Sequence, residues 1–559
     1  MNPRSALNPL FQNMKKGIAA SIRQLLLLIL LTMSMMMTLP TFSAQAGSTV
    51  RVSLPAFKVT LNGEVMDPAF SQYPVIVYKD ITYFPMTYTD CRFLGLETRW
   101  KGQKDGLLIE ATGVTAAYRP YITTVRNSRS QTAVIPAYPI QINGQKIDQT
   151  KEPYPLLSFR NITYFPITWK FGAEAFGWDY RFDLQNGLMI KSGNPKLNQI
   201  QLSDDWTEAA EGSPQKPIAI TTEHIYYQGT KGRIMQAPLA APLRSRQVYQ
   251  LPIWSYGDGT TYVHASLKDN NGDPLLSYHQ GGAIMGSDVL VSLKADGTTA
   301  VLNDGYYYLK AFGDDSVRTY TGPAPSGGNL EVKTSATDWK KVGSPDYLYG
   351  WAWHADGASS GGTSSDSVYK SGDQLYLLAF DLTKPGSTTG IYRVNLQTND
   401  TARVVDREVL GFQLDGEAIY YESGGSVYLY DLKERKETLL KSPLTTPKSI
   451  QWFTVLNGFV YWQDAQTRML YDQAGKPIQA GAPLLEAQLK GDQTAFLVCT
   501  FEDQPATKYK SVILDRHGDV VFKTSDQMSL ESVLISGNAL YFYNMTTGTV
   551  CVGSLAEAF

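Results

Sequence analysis

The residues most able to do chemistry on a surface stand together at Trp351, Trp353, His354 and Asp356, within the segment GWAWHADGASSGGTSSDS (350–367). Two indole faces, an imidazole and a carboxylate ahead of a Gly/Ser stretch suit recognition, because Trp is enriched at binding hot spots and loops on rigid scaffolds carry function. The competing reading puts both indoles in a sheet core. Catalytic patterns are scarce. There is no G-x-S-x-G elbow, no H-E-x-x-H and no phosphate-binding loop. Asp269-Asn270-Asn271-Gly272-Asp273 has the oxygen-rich look of a calcium loop but lacks its spaced carboxylates and distant Glu, so it reads as a hairpin turn. No metal ligands, catalytic residues or cofactors are predicted.

The elements that must hold such residues are strands. The 559 residues include 34 Tyr, 10 Trp and 47 Gly, a mixture of pleat-filling rings and turn formers that favours a mainly β protein of several domains. Residues 1–46 carry basic but no acidic side chains, leaving 46 basic against 52 acidic groups in the rest. A mildly acidic chain without a Lys/Arg cluster excludes a dedicated nucleic-acid binder. The basic start, the apolar run Leu25–Leu39 and Ser43-Ala44-Gln45-Ala46 read as a cleaved signal peptide, 1–46, with no membrane span left after cleavage. An extracellular or cell-surface location follows. Three Cys are too few for a disulfide scaffold, so burial must hold the fold, and Cys91, Cys499 and Cys551 read as free, buried thiols.

YPVIVYKDITYFPMTY (73–88) returns 81 residues later as YPLLSFRNITYFPITW (154–169). Each copy, 50–112 and 134–193, has an Asn-Gly hairpin, a second hairpin turning at Lys79-Asp80 or Arg160-Asn161, and a strand stopped by Pro85 or Pro166. A short helix follows, capped by Thr87 or Thr168, with Tyr88, Cys91 and Leu94, or Trp169, Ala173 and Phe176, directed inward. Gly95 or Gly177 ends it, and a closing strand completes what reads as a small antiparallel sheet with one helix. Asn161-Ile162-Thr163 matches a glycosylation acceptor but is explained by the turn. This order resembles the copper amine oxidase N-terminal (stalk) domain of bacterial surface proteins. The resemblance implies a spacer or attachment module. It departs after the Pro, where Met86-Thr87-Tyr88 and Ile167-Thr168-Trp169 replace the usual Leu-Arg. Oxidase chemistry is not implied, because none of the five His forms the H-x-H pair of a copper site.

Residues 195–217 read as a polar linker. From 218 to 559 an aromatic strand recurs with its central ring at Tyr226, Tyr262, Tyr307, Tyr376, Tyr420, Tyr461, Phe496 and Tyr541. Such spacing of short strands and turns is the mark of a β-propeller. These units resemble the low-density-lipoprotein-receptor-related type of propeller in bacterial exported proteins. About seven blades (six to eight) are expected, with the strands near Phe542 and Val550 completing the sheet begun near Ile225. The whole reads as an exported, non-enzymatic surface protein whose stalk presents a propeller to a cell-wall glycan or surface protein. The alternative is a carbohydrate lyase or hydrolase with its site in the central funnel, a reading that carboxylates converging there would favour.

Overall fold

The computed structural model describes residues 48–555, apart from 204–205, 207–215, 257–258, 271, 283–285, 323–325, 354–359, 363–367, 410, 442–449 and 492–495. Residues 1–46, read above as a signal peptide, lie outside the described residues. The chain is mainly β, and among the described residues no helix is long and apolar enough to cross a membrane.

All four predicted tight turns of the paired repeats form. Asn62-Gly63 and Asn143-Gly144, like Lys79-Asp80 and Arg160-Asn161, have positive φ at both central residues. That is the twist a two-residue hairpin requires. The Tyr-Phe-Pro strands Ile81–Pro85 and Ile162–Pro166 then pair with each other, Phe84 opposite Phe165. Alternation does the rest. Tyr83 and Tyr164 pack inside a closed six-stranded barrel with Ile76 and Leu157, and Phe84 and Phe165 point into a second, larger core.

The copies are not two separate sheets. The closing strand of each crosses to the other: Gly187–Lys191 runs parallel to Val59–Leu61, and Leu107–Ala111 runs parallel to Ile140–Ile142. The two turn asparagines lock this exchange. Asn62 donates to Phe93 O of its own copy and accepts from Ser192 N of the other. Asn143 likewise donates to Ala175 O and accepts from Ala111 N. Gly106 and Gly187 start the crossing strands at positive φ, where a Cβ would fall 1.7 Å from Pro139 O and 2.0 Å from Lys58 O. One apolar cluster joins Phe84, Leu94 and Ile109 to Phe165, Phe176, Trp178 and Ile190. The expectation of an independent sheet and helix per copy is therefore corrected. Sequence periodicity shows where strands are, not which copy supplies their neighbour.

Thr87 caps helix Tyr88–Phe93, accepting from Asp90 N at 3.1 Å. Thr168 makes no such bond, and Trp169–Ala175 winds as a π-helix. Cys91, Leu94 and Phe176 are buried as predicted, but Tyr88 and Trp169 are exposed. Each begins its helix on the solvent side, where Arg92 lies over the Tyr88 ring and Trp169 Nε1 donates to Glu174.

Among the described residues, eight sheets of three to five strands succeed one another from residue 218 onward, with two inserted two-stranded hairpins. The first runs Ile218–Ile220, His224–Gln228, Arg233–Pro238 and Arg246–Gln250 in order, all antiparallel. The last contains Leu534–Ser536, Ala539–Asn544 and Thr549–Ser554. Its fourth strand is Leu197–Ile200, from the stretch expected to be a linker. Closure thus comes from this strand and not from the sheet near Ile225. Its alternate residues Leu197 and Gln199 are too few to give a periodic signal.

The cores lie between consecutive sheets. One cluster joins the first and second sheets, others the third and fourth, fourth and fifth, sixth and seventh, and seventh and eighth. A further cluster packs Tyr543 and Val550 of the last sheet against Ile218, Ile225 and Met235 of the first. Sheets packed face to face whose last meets the first make a propeller-like ring. Six of the eight aromatic centres fall on a second strand. Tyr262 lies instead in an inserted hairpin (Ile253–Tyr256 with Gly259–Tyr262), and Tyr307 opens the third sheet. Cys499 and Cys551 are buried and unpaired, as is Cys91.

The paired-repeat domain is pinned to this ring. Asp526, fully buried, accepts from Ala117 N at 2.7 Å and Asn544 Nδ2 at 2.7 Å and lies 3.4 Å from Arg119 Nη2. Thr524 Oγ1 and Ser525 N both donate to Thr115 O.

Candidate functional site

The first strand of the seventh sheet, Leu484–Lys490, carries Glu486, Gln488 and Lys490 at alternate positions. A period of two sets all three on one face. Toward it comes the 3₁₀ turn Leu530–Ser532, which leads into the eighth sheet and also lies against the first strands of the first and second sheets. First strands of sheets on both sides of the ring closure therefore meet here, on the inner side of the ring.

Local bonds fix the turn. Ser529 N donates to Tyr543 O at 3.0 Å, Ser532 Oγ to Ser529 O at 2.7 Å, and Tyr543 N to Ser532 Oγ at 2.8 Å. Glu531 is held out from it. Gln488 Nε2 then donates to Glu486 Oε1 at 2.8 Å and to Glu531 Oε1 at 3.0 Å, so one amide ties two carboxylates together. Glu531 Oε2 is buried with no hydrogen-bond partner among the described residues.

The electrostatics follow from enclosure. Burial pushes the Lys490 amine below its usual range, and Lys268 pushes the same way, while Glu531, Asp269 and Glu486 pull it back. Burial raises the Glu486 carboxyl, opposed by the Gln488 bond and reinforced by Glu531. Glu486 is nevertheless open to water. Both facts hold for a side chain in a wet channel, where protein surrounds the group at a distance and displaces part of its hydration. The cluster combines three carboxylates (Glu486, Glu531, Asp269) with two amines (Lys490, Lys268). It offers acceptors and donors to one ligand, with two of the carboxylates tied by one amide.

The other candidates resolve differently. Trp351–Trp353 pairs with Ser360–Gly362 as a two-stranded hairpin outside the fourth sheet, so its backbone does not belong to that sheet. His354 and Asp356 lie outside the described residues. Asp269–Asp273 spans the turn between Ala265–Lys268 and Leu275–Gln280, with Gly272 N donating to Asp269 Oδ1. His279 has Asp288 Oδ1 2.8 Å from Nδ1 and Gly282 O 3.3 Å from Nε2, so both ring nitrogens are engaged. Among the described residues no group of three or more His, Cys, Asp or Glu could hold a metal ion.

Sequence reasoning did not find Glu486, Lys490 or Glu531. The alternation Glu-x-Gln-x-Lys was visible as one wet strand face. Nothing in the sequence set that face on the ring's inner side or brought residue 531 to it.

No protein-family model matches the sequence, and no curated protein matches it. Among solved structures, the chain is similar to BamB from Moraxella catarrhalis, at 11% identity and TM-score 0.34 over 64% of this chain and 99% of that one. It is similar to dipeptidyl peptidase 4 from Porphyromonas gingivalis, at 11% and 0.34 over 60% of this chain and 59% of that one. A third is the β-propeller domain of Cps50 (Swd1) from Myceliophteria thermophila, at 10% and 0.29 over 64% and 99%. These likenesses concern fold alone. The propeller reading rests on the sheet order, the cores between neighbouring sheets and the closure of the last sheet on the first.

Proposed function

We propose that the protein is an exported, non-enzymatic binding protein. Its eight sheets are the blades of one propeller, and its paired repeats are the stalk that mounts it. The ligand is a glycan, bound where Gln488 joins Glu486 to Glu531 beside Lys490. The observation that carries this is a buried Glu531 carboxylate oxygen without a donor, beside the Lys490 amine, whose charge is disfavoured by its enclosure. A sugar hydroxyl both donates and accepts, so neighbouring hydroxyls satisfy Glu531 Oε2 and Lys490 Nζ together. A buried carboxylate left unmatched carries a desolvation cost that such a ligand removes.

Insoluble cell-wall glycan should retain the wild-type protein. K490M and E486Q should be retained at least tenfold less, with unchanged melting temperatures. Equal retention of all three would exclude the site.

One observation favours a second reading, a carbohydrate lyase or hydrolase. Glu486 and Glu531 accept from the same nitrogen, so those oxygens lie no more than about 6 Å apart, a bound that admits the roughly 5–5.5 Å of retaining glycosidases. Release of reducing ends or unsaturated sugars, abolished by E486Q, would establish it. Retention without turnover supports the binding reading.

A further inference from the structure

The paired repeats provide their own control for an apolar projection. Loop 67–73 of the first copy corresponds to 148–154 of the second, and Phe70 stands where the second copy has Lys151. The second loop exposes Asp148, Thr150, Lys151 and Pro153, with no large apolar side chain among them. The first is stapled to segment 121–127, which joins the copies: Gln72 N donates to Tyr121 O, Thr123 N to Phe70 O and Asn127 N to Ala69 O, each at 2.8 Å. Asn127 Nδ2 bonds Pro68 O and Ser71 O, and the Tyr73 and Tyr121 rings meet edge to face at 5.3 Å. This rigid knuckle holds Phe70, Tyr121, Ile122 and Val125 in water, Ile122 and Val125 at 73% exposure. The fold does not require the Phe70 ring, since the matching position of the second copy holds Lys151.

Cationic side chains outnumber carboxylates around the knuckle. Arg126 and Arg129 are exposed beside it, and Arg160 reaches it from the second copy, bonding Gln72 O and Asn127 Oδ1. None of the three guanidiniums is in an ion pair among the described residues. The one carboxylate on the loop, Asp67, already accepts from Ala69 N.

We infer that this knuckle is a peripheral membrane-contact site for an anionic lipid surface. Phe70, Ile122 and Val125 enter the boundary between headgroups and acyl chains, and Arg126, Arg129 and Arg160 take the lipid phosphates. A projecting tip of four apolar side chains suits shallow insertion, about 5–10 Å deep. It falls short of the roughly 800 Å² per partner of a stable protein interface, and guanidinium matches phosphate geometry. The inference is independent of the axial cluster and is tested without any glycan.

The test is co-sedimentation of the mature chain with vesicles of phosphatidylglycerol and phosphatidylcholine, against vesicles of phosphatidylcholine alone. The wild type should sediment with the anionic vesicles and stay in solution with the neutral ones. F70K, which installs the residue of the second copy, combined with I122S and V125S, should bind at least tenfold less at an unchanged melting temperature. R126S with R129S should weaken binding and flatten its dependence on salt. No sedimentation of the wild type, equal sedimentation with neutral vesicles, or undiminished binding by the F70K triple variant would each overturn the inference.

Discussion

The paired repeats and the propeller both close a repeated sequence on itself, and they put the core in different places. With two copies, closure is an exchange: each closing strand joins the other copy, and both copies share one apolar cluster. With eight sheets, exchange between neighbours is unnecessary. Each sheet is built from consecutive strands, and the cores lie in the gaps between sheets, with a single strand from far upstream sealing the ring. Copy number thus decides whether a repeat is a folding unit. A lone copy of the first kind lacks half of its sheet partners. A lone sheet of the second kind has its strands but no wall to pack on.

The largest expected effect breaks that comparison outright. Residues 48–133 produced alone should show no cooperative melt by circular dichroism, because their closing strand and Asn62 each lose the partner that the second copy supplies. Residues 48–196 should melt cooperatively. A cooperative transition in the single copy would disprove the exchange.

The ring should be nearly as sensitive at its seal. Leu197 is fully buried between the seventh and eighth sheets, and L197D should cost about 4 kcal/mol in urea denaturation. An effect below about 1 kcal/mol would mean that the ring does not depend on this strand.

The two asparagine clamps sharpen the comparison within the repeats. Asn62 is buried and Asn143 exposed, although they make equivalent bonds. N62A should cost about 3 kcal/mol and N143A about 1, since only the first strands its partners away from water.

Asp90 breaks the two-fold in another way, as it occupies the position of Phe171 in the second copy. Burial raises its carboxyl to about 6, opposed by the Thr87 hydrogen bond. The native state then binds this proton more tightly than the unfolded chain. The contribution of Asp90 to stability should be greatest below about pH 4, fall by about 2 kcal/mol toward pH 6, and level off above. D90N should remove that slope in pH-dependent melts. An unchanged slope would assign it to other groups.

The sequence made the turns legible because Asn-Gly and the polar dipeptides carry their own backbone preference, and all four appear at positive φ. Strand stops at Pro85 and Pro166 were equally local. Pairing was not local. Nothing in Gly187–Lys191 names Val59–Leu61 as its neighbour, and nothing in Leu197–Ile200 announces a seat beside residues 549–554. Tyr88 and Trp169 misled because their aromatic character suited an inward position, whereas the cap geometry turns them to solvent. The axial cluster was least legible of all. Glu486, Gln488 and Lys490 share a strand, but Glu531 reaches them only through the chain's return past the seventh sheet.

The most direct test of the axial site is to follow Lys490 itself. Lysines of the mature protein would be reductively methylated with ¹³C, the Lys490 resonance assigned by K490R, and soluble cell-wall glycan fragments titrated in. The account predicts that the Lys490 resonance, shifted from those of surface lysines by its enclosure, moves to saturation with the bound fraction while the lysines of the paired repeats stay fixed. Saturable glycan binding that leaves Lys490 unmoved, or no binding at all, would contradict it.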